Sequence, residues 1–396
     1  MRIAVTGSIA TDHLMVFPGR FTDQLIADQL EQVSLSFLVD DMVVHRGGIA
    51  GNIAFGLGCL GFRPVLIGAV GHDFGDYREW LEHNGVDTSA LLVSESLHTA
   101  RFICTTDSMQ NQIGSFYAGA MAEARTIELA PIAERFGGFD LVTISAQDPA
   151  AMIRHTEECR EHGVRFAADI GQQVTRMPGD ELRQLVGGAA YLLTNEYERG
   201  VLVKKTEWSE DEILGKVDQW VTTLGAGGVR IESIDAEPVH VPAVPAKKTV
   251  DPTGIGDGFR VGFFAGLAWG LPTERAMQFG CLLATTVLEV SGPQEYHVDN
   301  GHLLERLADA YGDDAAADVQ PHLVGATSSV GTTNKIDNMA GSARGGGLTT
   351  SGPDTTTTHD KADSARGGGL TTSGPDTTTT HDKAGSARGD AGAGRA

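Results

Sequence analysis

A chain of 396 residues with 41% hydrophobic content can hold one large or two ordinary domains around a sizeable core. Its formal net charge of −22 argues against a nucleic-acid or anionic-membrane surface, since either asks for a basic stripe. Four scattered cysteines, Cys59, Cys104, Cys159 and Cys281, form no CxxC pair, so disulfide and metal-cluster scaffolds are disfavoured and a reducing cytoplasm is the expected setting. The opening Arg2–Gly7 is already strand-like, so no signal peptide is expected, and the apolar run at 261–271 is too short and glycine-rich to span a bilayer.

RIAVTGSIATDHL reads as a buried strand ending in a glycine turn, with Asp12 just past it. An aspartate there is most often a turn residue; it is also able to hold two sugar hydroxyls. Short β-like pieces at 14–17, 33–39 and 42–45 suggest a small sheet beside the main domain. In HRGGIAGNIAFGLGCLG, Gly47-Gly48 permits close backbone approach to a ligand. Asn52 then falls in the first turns of a tightly packed helix, as a cap or as a donor–acceptor for a hydroxyl pair. A strand over 64–70, a helix ending near Asn84-Gly85, and a β-pair over 99–105 and 112–117 follow. Phe102 and Phe116 lie on that pair and Phe37 on the earlier β region; aromatics are usually core, but a small sheet with little core can stack them on a flat base.

From Phe139 strands and helices alternate: strands at 140–145, 164–169, 191–194, 220–223 and 229–233, and helices at 149–162, 178–186 and 209–217. That rhythm predicts an α/β fold with an open, mostly parallel sheet and helices on both faces, with ligands beyond the carboxyl ends of the strands. Three loops there are chemically suggestive. The amides of Gln172 and Gln173 could read a base edge, Glu198 in Asn195–Glu198 could meet a hydrated Mg²⁺, and Thr223–Gly228 could lie under a nucleotide. Then comes DPTGIGDG, residues 251–258, before a largely apolar helix. Glycines allow the N–H groups of Gly254, Ile255, Gly256 and Asp257 to converge, and the helix N-terminus adds partial positive charge. A carboxylate at such a lip is costly unless it acts as a base or holds a counter-ion, so Asp257 reads as the base of a phosphoryl-transfer site. The bland alternative is a glycine turn capping a helix. Helices at 273–290 and 301–311 end the domain.

Around Leu323 the composition changes. SARGGGLTTSGPDTTTTHDKA occupies 342–362 and recurs identically at 364–384, and residues 325–396 hold 7 basic and 7 acidic residues, so the −22 belongs to residues 1–324. A tail this poor in large apolar groups is expected to be disordered, as a recent repeat expansion or frame-shifted extension rather than an interaction arm.

With those loops in order, the chain resembles the ribokinase-like (PfkB) family of sugar and nucleoside kinases over roughly residues 1–320. GGIAGNIA at 47–54 with Gly61 and Gly71 matches the first family signature, DPTGIGD the second, and Asn195 with Glu198 the NxxE motif. Ile255 departs from the small residue usual there. GSIATDHL, SLSFLVDDMVVHRGGIAGN, DIGQQ and VPAVPAKKTVDPTGIGDGF resemble the actinobacterial adenosine kinases within the family. The resemblance implies a three-layer α/β/α kinase domain over 1–323, with a β-lid from about 13–46 and 98–118. It also implies ATP-dependent phosphorylation of the adenosine 5′-hydroxyl. Asp257 would be the base, Gly254, Ile255, Gly256 and Asp257 the anion hole, and Asp12, Gly48 and Asn52 the ribose site. Ser8, Phe102, Phe116, Gln172 and Gln173 would surround adenine; Asn195, Thr223, Gly225, Gly228 and Gly256 would hold ATP; Glu198 would reach Mg²⁺ through water. A monovalent cation such as K⁺ and a homodimer paired through the lids are further implications. Another nucleoside or sugar kinase and a catalytically silent scaffold of this fold are the alternatives; a Rossmann dehydrogenase fails because no GxGxxG follows the first strand.

Overall fold

Residue 3 onward forms a short strand because Ile3–Thr6 (β1) is apolar on both sides and buried throughout, the signature of an inner strand of a parallel sheet. The computed structural model describes residues 1–25 and 35–323; the tail with its repeat, and the start of the expected strand at 33–39, lie outside the described residues. In chain order the other strands are Ala10–Val16 (β2), Asp41–Gly47 (β3), Val65–Ile67 (β4), Ala69–Val70 (β5), Leu92–Val93 (β6), Ala100–Thr106 (β7) and Gln112–Tyr117 (β8). They continue with Leu141–Ser145 (β9), Phe166–Asp169 (β10), Tyr191–Asn195 (β11), Gln219–Thr223 (β12), Val229–Ser233 (β13) and Ala236–Val241 (β14).

The main sheet runs β14-β13-β12-β11-β10-β9-β1-β4, parallel from β4 to β12 and antiparallel at β13 and β14. Successive side chains of a strand point to opposite faces, so Ile3 and Val5 enter one apolar cluster and Ala4 the other. Helices 49–59, 255–268 and 273–288 build the first layer; helices 149–161, 179–186 and 196–206 build the second. Parallel order puts the carboxyl ends of β1, β9, β10, β11 and β12 along one edge, where the chemically suggestive loops follow.

A second, smaller sheet has the order β3-β2-β7-β8. Its root is tied to the main body by Asp73, whose carboxylate accepts from Thr99 N–H and Oγ at 2.8 Å and pairs with Arg101.

Several expectations change. Asp12 lies inside β2 rather than in a turn, because Gly7–Ile9 alone makes the bend. Residues 35–39 are not a strand; Phe37 instead packs against Phe17 and Phe21, 5.0 and 4.9 Å between ring centroids, and so belongs to an aromatic cluster. The strand expected over 64–70 breaks at Gly68 into β4 and β5, and β5 pairs with β6. The expected loop at Asn195–Glu198 opens a helix, Glu196–Thr206, and the helix at 209–217 shrinks to Glu210–Leu214. A final helix, Asp313–Leu323, packs Ala315 and Val319 into the first layer.

Candidate active site

Two glycine-led helices meet at the carboxyl edge of the sheet. Gly48 (φ 85°) precedes Ile49–Cys59 and Gly254 (φ 79°) precedes Ile255–Ala268, both at positive φ, which favours glycine. Each helix carries a polar residue in its first turns, and these touch: Asn52 Nδ2 donates to Asp257 Oδ2 at 2.7 Å. The N-termini then differ. Ile49 N–H donates to Ser8 Oγ at 3.3 Å and Ala50 N–H to the Ser8 carbonyl at 3.0 Å. Among the described residues, no protein acceptor meets the N–H groups of Ile255, Gly256 or Asp257; the first helical bond is Gly258 N–H to Gly254 O. Four such donors are open at any helix start until something caps them, so this end presents an anion site with a carboxylate beside it.

The Asp257 carboxyl is pulled in both directions by its surroundings. Burial pushes the Asp257 carboxyl up to about 7; the Arg260 guanidinium and the Asn52 amide pull it down, while Asp169 and Asp12 raise it. Arg260, one turn along, is itself held by Asp169, which also accepts from Ser145 Oγ at 3.0 Å, and its Nη1 donates to Gly256 O at 2.9 Å. Burial likewise pushes Asp12 up to about 6, opposed by His45.

Beside the open helix end a cavity of about 510 Å³ is lined by Thr223, Gly225, Gly228, Ile255, Gly256 and Phe259, among others. The expected nucleotide loop and anion hole are thus brought together. Asn195 and Glu198 form a reciprocal cap: Asn195 Oδ1 accepts from Glu198 N–H and Glu198 Oε2 from Asn195 N–H, both at 2.8 Å. That gives the NxxE spacing a structural duty, and burial raises the Glu198 carboxyl. No cluster of three or more His, Cys, Asp or Glu among the described residues could hold a metal directly.

On the small sheet, His45, Asp12, Phe102 and Phe116 are successive cross-strand partners and share one face. This face looks toward the loop that flanks the second helix start: a Cβ on Gly292 would lie 2.5 Å from His45 Nδ1, and one on Gly254 would lie 2.5 Å from Cβ of the adjoining Pro293. The two glutamines part company: Gln172 is exposed, whereas Gln173 is buried and donates to the Gln147 carbonyl at 2.6 Å. Ser8 is occupied as the cap described above. Sequence reading missed Arg260 and Asp169, although a lone arginine inside the apolar run GFRVGFF signals a buried partner.

A mostly parallel sheet between helical layers, with a small separate sheet and an acid at an uncapped helix start, fits the ribokinase-like class. Residues 9–299 match the pfkB family of carbohydrate kinases, and the chain belongs to that family. It is 29% identical over 291 residues to a nucleoside kinase of Methanothermobacter thermautotrophicus, covering 72% of this chain and 92% of the relative. Burkholderia thailandensis nucleoside kinase, solved in complex with inosine, superposes with a TM-score of 0.68 and 33% identity over 78% of this chain and 98% of that one. The Methanocaldococcus jannaschii nucleoside kinase structure gives 0.69 and 25% over 78% and 99%. Among the described residues no helix is long and apolar enough to cross a membrane.

Proposed function

We propose that the protein is a nucleoside kinase that transfers the γ-phosphoryl group of ATP to the 5′-hydroxyl of adenosine. The observation that carries this reading is the Asp257 carboxylate, with its pKa near neutrality, at the mouth of three uncapped N–H groups. In this reading Asp257 takes the hydroxyl proton, and the N–H groups of Ile255, Gly256 and Asp257 meet the charge on the phosphoryl oxygens. Asp12, Gly48 and Asn52 hold the ribose, and Ser8, Phe102, Phe116, Gln172 and Gln173 surround the base. ATP lies over Thr223, Gly225 and Gly228 with Asn195 at its side, and Glu198 reaches Mg²⁺ through water. Bound Mg²⁺ would neutralise phosphate charge. The similar nucleoside kinases support the acceptor class.

Residues 1–323 form the kinase domain in this proposal, and β2, β3, β7 and β8 form a lid that excludes water from the donor. On the lid face opposite Asp12, Val44, Ile103, Met42 and Ile113 are exposed, and they suit pairing with the lid of a second copy. Initial rates with adenosine, inosine, guanosine, ribose and fructose, with and without K⁺, test the assignment. Adenosine is expected to give the highest kcat/KM. Free ribose in first place would remove the base contacts, inosine in first place would move the acceptor to a 6-oxopurine nucleoside, and no turnover on any would leave a binding scaffold. Sedimentation at micromolar concentration tests the dimer.

A further inference from the structure

Beneath the two helix starts lies a chain of polar groups that the phosphoryl-transfer reading does not use. Trp80 Nε1–H donates to Gln294 Oε1 at 3.1 Å. Gln294 Nε2 donates to Tyr77 Oη at 2.5 Å and to Asn52 Oδ1 at 2.9 Å. Tyr77 Oη donates to the Gly47 carbonyl at 2.9 Å. Gln294, Tyr77 and Asn52 are 2%, 5% and 6% exposed, so water cannot substitute for a lost partner. Room for the chain is made by Gly51, where a Cβ would lie 2.4 Å from the Tyr77 hydroxyl.

Each bond can run in only one direction. An indole N–H only donates and a main-chain carbonyl only accepts. The Trp80 donor therefore takes the oxygen end of Gln294, and the Gly47 acceptor takes the Tyr77 proton. The amide end of Gln294 must then face both Tyr77 and Asn52. Asn52 answers with its oxygen, which leaves its NH₂ for Asp257. Reversing Asn52 would put a carbonyl oxygen against the Asp257 carboxylate and an NH₂ against another NH₂.

We infer that Gln294, fixed by Trp80 and Tyr77, is a positioning residue: it sets the amide of Asn52 so that a donor always faces the base. This rests on Asp257 being the base. The charged and polar groups around Asp257 are Arg260 on its own helix, Asp169 from β10, Asp12 from β2, and the neutral phenols Tyr77 and Tyr296. His45 and Asp251 act on Asp12, and Glu198 on Arg260. None of them donates a hydrogen bond to the Asp257 carboxylate, as Asn52 does.

The test is Gln294→Met, which removes the donor without adding charge. The ¹³C titration of the Asp257 carboxyl, assigned by its loss in Asp257→Asn, is expected to move up by about 1 pH unit, and the acid limb of kcat/KM with it. At pH 8.5, where the base is ionised in both proteins, kcat/KM should fall less than at pH 6. In an Asn52→Ala background the same substitution should move neither, because the residue it acts through is gone. An equal loss at all pH values, or the same shift in both backgrounds, overturns the inference. If Gln294→Met does not fold, Trp80→Phe releases the oxygen end of Gln294 from the half-buried indole and should give a smaller shift of the same sign; no shift there also overturns it. Activity retained in Asp257→Asn would instead defeat the base assignment, while the carboxyl titration would still report on Gln294.

Discussion

The helices that begin at Ile49 and at Ile255 are near twins at their starts and opposites in what they leave open. Each follows a glycine at positive φ, and neither has a side-chain cap of its own at that position. Ser8 closes the first, with its hydroxyl and carbonyl taking two N–H groups; among the described residues nothing in the protein closes the second. The closed start delivers an amide, Asn52, at fixed orientation. The open start keeps its partial positive charge for a ligand and places an acid beside it. Local sequence makes both ends capable of binding an anion, and only a neighbour's occupancy tells them apart.

The sharpest way to break that contrast is to neutralise the acid. Asp257→Asn should lower kcat at least ~10²-fold, the usual cost of a lost general base, in a protein that still folds. It should also melt higher than the parent above pH 7. The Asp257 carboxyl, at about 7, lies above the value of an unfolded carboxylate, so its protonated form favours the folded state. Its stabilising contribution is complete below about pH 4 and is lost as pH rises through about 7, and the amide loses nothing. Near-normal turnover, or a Tm that does not diverge with pH, would count against this.

Next come the paired glycines. Gly254→Ala should cut kcat by about 10²-fold through misplacement of the open N–H groups, because a Cβ there would lie 2.5 Å from Pro293 Cβ. Gly48→Ala would press a Cβ to 2.5 Å from the Ser8 carbonyl and should show first as lost stability, ~1–2 kcal/mol from the backbone conformation alone. Steady-state kinetics and urea unfolding on both variants separate the two outcomes; matching profiles would erase the distinction.

A smaller effect is expected in the pH profile of the unaltered enzyme. kcat/KM should fall towards tenfold per pH unit below about 7 as Asp257 takes up its proton. A limb centred near 4 would mean that the carboxyl is as well solvated as a surface acid. Smallest of all is Ser8→Ala, which reopens one donor of the closed helix and should cost ~1 kcal/mol in urea unfolding, as lost helix caps do.

Read by itself, the sequence determined the layered α/β fold, the small separate sheet and the two glycine signatures, because apolar runs, alternation and glycine are local signals. Asp257, Asn52 and the glycine loop at 223–228 were legible for the same reason: short motifs carry their backbone geometry with them. Boundaries inside the small sheet were less so: Asp12 reads most simply as a turn residue, yet it is the third residue of the seven-residue strand β2. What only the tertiary structure decided was pairing at long range. Gln294 meets Asn52 across 242 residues and Arg260 meets Asp169 across 91. No local pattern encodes which buried polar group will satisfy which other; that depends on burial, where an unmet donor or acceptor is too costly to leave.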